Sequence, residues 1–160
     1  MAALLDHVDP DGLLEFSVVF TDRSLNHMSA SFKQVMIDIS DMLKQVYCAD
    51  AVAIVPGGGT FGMEAVARQF GRDSKVLVVR NGWFSYRWSQ IFEAGGFTAE
   101  THVIKARQSN NSAQAAFSPA PIDAVVAQIR AEKPDVVFAP HVETSAGVIL
   151  PDAYITALAA

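Results

Sequence analysis

Three short segments carry residue types that can hold a small molecule. The first, Pro56-Gly57-Gly58-Gly59-Thr60-Phe61-Gly62, is a glycine run entering a helical stretch. Glycines let backbone amides come close to an anion, and a helix N-terminus adds partial positive charge, so a phosphate is the natural guest. The second, Asn81-Gly82-Trp83-Phe84, offers aromatic faces, and the third, His141-Val142-Glu143-Thr144-Ser145-Ala146-Gly147, offers hydroxyls on a turn. Each follows an apolar run that reads as a strand, and in parallel α/β sheets ligands collect at the carboxyl ends of strands. A phosphate cup, an aromatic plate and a hydroxyl-bearing turn on one sheet edge suit a flat, phosphorylated aromatic ring.

Gly57, Gly59 and Gly62 also satisfy the GxGxxG dinucleotide spacing. A dinucleotide fold, however, normally ends its second strand in an Asp or Glu for the ribose, whereas here that strand ends in Val79-Arg80-Asn81. Arg80 facing a 2′-phosphate keeps an NADP-binding oxidoreductase as an alternative, and a tight turn without ligand is another.

Composition narrows the classes. The chain has 160 residues, with 12 Lys+Arg against 17 Asp+Glu and a net charge of -5, which argues against a nucleic-acid binder. Hydrophobic residues make up 51%. With glycine counted in place of tyrosine the share is roughly 56%, above the usual 45–50%, so the chain carries more apolar surface than its own core needs. The single cysteine, Cys48, cannot close an internal disulfide, and without a CxxC or Cys/His cluster no thiolate metal site is expected. A reduced, cytoplasmic protein is expected. No apolar run reaches the roughly 18 residues of a membrane span. Residues 1–12 hold Asp6, Asp9 and Asp11 with no Lys or Arg, which is not a secretory signal.

The elements that must position these segments follow from periodicity. Phe32, Val35, Met36, Ile39, Met42, Leu43 and Val46 predict an amphipathic helix over Ser31–Cys48, capped by Ser29 or Ser31. Ala51–Val55 reads as a strand covered on both faces, followed by the glycine loop and a helix to about Phe70. Lys75–Val79 predicts a strand, Trp83–Ala94 a helix stopped by Gly95-Gly96, and Thr98–Ile104 a weaker strand. Lys105–Pro121, rich in Ser, Asn, Gln and Ala, reads as a solvated connection, with a binding lid as the alternative. A helix from Pro121, taken as its first residue, to about Glu132, a strand over Asp135–Ala139 and a helix opening at Pro151 complete the pattern. Strands alternating with helices give an α/β fold, mostly parallel sheet with helices on both faces.

The segments PGGGTFGMEA (56–65), RNGWFSYRW (80–88) and HVETSAGVILP (141–151) together resemble class V aminotransferases of fold type I, in the alanine–glyoxylate and serine–glyoxylate (serine–pyruvate) branch. The resemblance runs from about Leu14 to the last residue. It implies pyridoxal 5′-phosphate as cofactor and assigns cofactor-binding roles to five positions. Gly58, Gly59 and Thr60 align with the phosphate loop, Phe84 with the ring that stacks on the pyridine, and Thr144 with the hydroxyl near the ring oxygen. Trp83 and Ser145 are the respective neighbours that could share those tasks. An ordinary core aromatic and a turn residue are the alternatives for Phe84 and Thr144. His27, in DRSLNHMS (22–29), looks like the family's His-containing stretch but takes no role, and His141 reads as a surface histidine.

The resemblance also implies an aldehyde-holding lysine and an acid at the pyridine nitrogen, both further on in the family than HVETSAG. Lys33, Lys44, Lys75, Lys105 and Lys133 each read as surface charges, so no catalytic residue and no metal ligand is assigned. The expectation is an N-terminal arm (1–13) and the N-terminal portion of a cofactor-binding large domain (14–160), cut before the lysine and the small domain. Such a chain is expected to be inactive alone, within a homodimeric parent that moves the amino group of a small amino acid to a 2-oxo acid. A desulfurase, a phosphoserine aminotransferase or a kynureninase-like enzyme would share the cofactor, and a fragment serving only in association is the non-enzyme reading.

Overall fold

In the computed structural model, residue 27 and residues 30–160 are described. They divide into one unit ending at Ile54 and another over Val55–Ala160.

The Val55–Ala160 unit is built around strand β1 (Lys75–Arg80), whose Val76, Leu77, Val78 and Val79 are all 0% exposed. A strand covered on both faces needs no polar alternation, which is why KVLVV is an unbroken apolar run. β1 is the middle of a parallel sheet, flanked by β2 (Glu100–Lys105) and β5 (Val136–Phe138). The register sets Lys75 opposite Glu100 and Arg80 opposite Lys105. Side chains alternate between two cores. Val76 and Val78 pack with Ala67 of helix α2 (Gly59–Phe70), Phe92 of α3 (Trp83–Gly95), Phe97 and Phe138. Val79 packs with Val125 of α4 (Ile122–Glu132), Tyr154 of α5 (Asp152–Ala159), Ala120 and Leu150. Helices therefore cover both faces, as expected. Phe92 meets Phe97 and Phe138 edge-on, at 5.8 and 5.0 Å between centroids. α3 ends at Gly96 in the left-handed conformation, φ 55°, where a side chain is disfavoured.

Several sequence expectations need correction. Residues 51–55 form no strand among the described residues, and Ile54 and Val55 stay 42% exposed. The run has the composition of a covered strand but no ladder partner among the described residues. The Lys105–Pro121 stretch is not wholly irregular: β3 (Arg107–Gln108) pairs antiparallel with β4 (Phe117–Ser118). Pro121 caps α4 from outside rather than opening it. HVETSAG is also more ordered than a turn, since β6 (Val142–Glu143) pairs with β7 (Val148–Ile149) across a 3₁₀ turn at Thr144–Ala146.

In the other unit, helix α1 spans Ala30–Tyr47, close to the expected bounds, and none of its residues is buried. It starts before Ser31, which therefore sits inside the first turn, while Ser29 lies outside the described residues. The expected arm at 1–13 also lies outside them. Among the described residues no helix is long and apolar enough to cross a membrane, and no group of His, Cys, Asp and Glu is placed to hold a metal.

Candidate functional site

The glycine loop enters α2 without a side-chain cap. Gly57 has φ +123°, and a Cβ there would run into the Phe61 ring, so glycine is required. Gly58 is the extended N-cap, and no side chain bonds the first amides of the helix. The Phe61 amide turns back to the Gly58 carbonyl at 2.9 Å, which leaves the Gly59 and Thr60 amides without a partner among the described residues, and a Cβ added at Gly58, Gly59 or Gly62 would meet nothing within 4 Å. The N-terminus of a 12-residue helix thus faces open space, a fit for a phosphate.

Thr60 is tied to the second segment. Its Oγ1 accepts a hydrogen bond from Arg87 Nη1 at 2.6 Å, and the same guanidinium lies 5.5 Å over the Phe84 ring. Arg87, which helical spacing alone presents as a surface residue, is the physical link between the phosphate loop and the aromatic plate. Phe84 is 43% and Trp83 58% exposed, so neither is an ordinary core aromatic.

The third segment is joined through Glu143, fully buried and not singled out in the sequence. Its carboxylate accepts the Phe84 and Ser85 amides at 3.1 and 2.8 Å and the Ser85 hydroxyl at 2.6 Å. It also accepts the Ser145 hydroxyl, whose oxygen in turn takes the Trp83 amide at 2.8 Å. Ser85 Oγ accepts the Asn81 and Gly82 amides at 2.8 and 3.0 Å. A carboxylate under a helix N-terminus is favoured by the helix dipole as well. Burial by itself raises the Glu143 pKa, but the Ser145 and Ser85 hydroxyls and the Ser85 and Phe84 amides outweigh it, holding the acid below its usual range. Gly82 is required here by space: a Cβ would come 2.6 Å from Ser145 Oγ and 2.7 Å from Glu143 Cγ.

Fixing the cap separates two candidates. The Ser145 hydroxyl is committed to Glu143, whereas Thr144 sits exposed on the 3₁₀ turn with no side-chain hydrogen bond among the described residues. The structure therefore gathers Thr60, Phe84 and the Thr144 turn through Arg87, Glu143 and Ser145. His141 is exposed on the same segment and His27 lies in the other unit.

The lysines of the Val55–Ala160 unit are not equivalent. Lys75 Nζ lies 3.2 Å from both Glu100 and Glu132, so it is an ion-paired residue rather than a free surface charge. Desolvation lowers its pKa, yet those two carboxylates raise it overall. Lys133 takes the left-handed position after α4. Lys105 ends β2 beside the site.

No family model matches the chain. Over 133 residues, 81% of this chain and 32% of the relative, it is 29% identical to a 2-aminoethylphosphonate–pyruvate transaminase of Pseudomonas putida. Over 127 residues, 78% of this chain and 31% of the relative, it is 31% identical to a protein named soluble hydrogenase, small subunit, of Synechococcus. Among solved structures, a ureidoglycine–glyoxylate aminotransferase from Bacillus subtilis superposes with a TM-score of 0.62 at 22% identity, over 84% of this chain and 34% of that one. The chain spans about a third of the length of the curated relatives it matches. Transaminases recur in the sequence matches, and the parallel sheet with helices on both faces is that of an aminotransferase large domain. In sequence the chain is similar to 2-aminoethylphosphonate–pyruvate transaminases, and in fold it is similar to an aminotransferase.

Proposed function

We propose that this chain forms the phosphate-and-ring cup of a pyridoxal-phosphate-dependent aminotransferase. The observation that carries the reading is the convergence of three segments far apart in sequence, through Arg87 on Thr60 and Phe84 and through Glu143 under Phe84. In this reading the amides of Gly58 and Gly59 and the Thr60 side chain hold the phosphate. Phe84 lies against the ring and Thr144 donates to the ring oxygen. The bound cofactor supplies an electron sink for carbanion chemistry at the amino acid's α-carbon. Arg87 positions Thr60 and brings positive charge near the phosphate, and Glu143 fixes the backbone that carries Phe84.

The acceptor is a 2-oxo acid, consistent with pyruvate and glyoxylate in the names of two relatives. The small amino donor, of the alanine or serine class, rests on the motifs alone. We assign transamination to the full protein, as a homodimer in the cytoplasm, and no catalytic residue to these 160 residues.

Titration of the chain with pyridoxal 5′-phosphate, followed by absorbance with and without borohydride, tests the cup. Expected is reversible binding, abolished by Gly59→Asp and weakened by Phe84→Ala, with no reduced adduct on one particular lysine. Stoichiometric trapping on a single lysine would overturn the missing-anchor assignment. Absence of binding in the well-folded chain would overturn the cup.

A further inference from the structure

Beside the cup, at the carboxyl ends of β1 and β2, lies an open cleft of about 620 Å³ whose lining includes Arg80, Asn81, Trp83, Tyr86, Lys105 and Phe117. Trp83 and Ser145, the neighbours of Phe84 and Thr144, line it, but none of Gly58, Gly59, Thr60, Phe84 or Thr144 does, so it adjoins the cofactor cup without including it. We propose that this cleft is a second binding site, for a small oxyanion carried on a flat unsaturated body, such as an aryl phosphate or an aryl carboxylate.

Three observations converge on that chemistry. Arg80 and Lys105 are register partners on adjacent parallel strands and both line the cleft, so two like charges stand side by side. Like charges opposite one another destabilise a sheet, and neither has an ion-pairing carboxylate among the described residues, in a chain of net charge -5. An anion between them converts repulsion into two charge-assisted hydrogen bonds. The second observation is Asn81, 2% exposed, whose Oδ1 and Nδ2 both lack a hydrogen-bond partner. A buried amide with neither atom satisfied calls for a missing group, and its Nδ2–H₂ is a donor suited to an oxyanion. The third is the aromatic wall. Trp83 and Phe117 are 58% and 52% exposed, while Tyr86 lies under the Arg80 guanidinium, 4.9 Å from its ring centroid. Exposed rings beside cations accept a flat molecule by stacking. The hairpin of β3 and β4 supplies Phe117, which gives the Lys105–Pro121 stretch a part in binding.

Amide-resolved NMR of the ¹⁵N-labelled chain, titrated with phenyl phosphate, benzoate, inorganic phosphate and phenol, reads both sites at once. Saturable shifts at residues 80–83, 105–106 and 115–117 are expected with phenyl phosphate, benzoate or both. The stronger of the two identifies the oxyanion. Inorganic phosphate and phenol, each carrying half of the recognition, bind there at least about tenfold more weakly. Arg80→Gln and Lys105→Gln each weaken the stronger probe by about tenfold, and Lys133→Gln, the same charge removed elsewhere, does not. Asn81→Leu weakens binding while leaving the melting temperature unchanged or raised, because it removes an unsatisfied buried amide. Shifts confined to residues 58–61 would support the cup and overturn the cleft. No saturable shift, or binding indifferent to Arg80→Gln and Lys105→Gln, would also overturn it.

Discussion

The two ends of β1 are built on opposite principles. At the amino end, Lys75 Nζ is held between Glu100 and Glu132, and its backbone amide donates to Asp135 at 2.8 Å. His102 Nε2 stands 2.8 Å from Glu100 without a directed hydrogen bond. The lysine there is paired with carboxylates of the protein itself. At the carboxyl end, among the described residues, Arg80 and Lys105 face each other without an ion-pairing carboxylate, Asn81 is unsatisfied, and α2 has no side-chain cap. The same sheet carries both, so the difference does not come from strand geometry. The unpaired cations and the unsatisfied Asn81 amide gather at the carboxyl end, the end at which parallel α/β sheets present their ligand sites.

One buried acid makes the carboxyl end rigid enough to leave those groups open. Glu143→Ala removes the acceptor of one buried and one part-buried amide and of two hydroxyls. A loss of about 3 kcal/mol in unfolding free energy is expected, since charged hydrogen bonds contribute roughly 1.5–3 kcal/mol each and orphaned donors add to the cost. Urea denaturation measures it, and a loss below that of an ordinary surface change would remove Glu143 from its place under α3. Gly82→Ala acts on the same contact by crowding, with an expected loss of roughly 1–3 kcal/mol.

The acid limb of stability follows from the same residue. The pKa of Glu143 is depressed below its usual 4.5 in the fold. Its contribution is therefore complete above that value and is lost as pH falls through the folded value. Glu143→Gln should flatten the decline of stability below about pH 4.5 relative to the parent chain. An unchanged slope would mean that other carboxylates set the limb.

How much of this was legible follows from what each feature needs. β1, α3 and α4 were readable because continuous burial and a 3.6-residue stripe are local signals. Residues 51–55 were misread because strand composition says nothing about whether a neighbour exists. The β3–β4 pair escaped notice because its ladder has two pairs and no alternation. At the site, the loop pattern pointed to three segments, and the family resemblance singled out Thr60, Phe84 and Thr144 within them. Glu143 and Arg87 were missed because their roles come from partners 58 or 59 and 27 residues away. An acid in a turn motif and an arginine on a helix both read as solvent-facing until those partners are known. The pairing of Arg80 with Lys105 likewise depends on strand register, which no local pattern states.

The smallest effects discriminate between the two ends most sharply. Lys75→Met leaves Glu100 and Glu132 facing each other, so it should destabilise the chain, with the loss reduced in high salt. Because the Lys75 pKa is raised above 10.5, its contribution is present below that value and fades as pH rises through the folded value. The parent chain should therefore lose stability above about pH 10.5, and the Lys75→Met chain should lose less. Lys105→Gln, the same charge removed from the other end of the sheet, should do the reverse. It relieves repulsion from Arg80 and breaks no ion pair among the described residues, so the melting temperature should hold or rise slightly. If Lys105→Gln destabilised the chain as Lys75→Met does, Lys105 would have a structural partner, and the contrast between a neutralised end and an open one would fail.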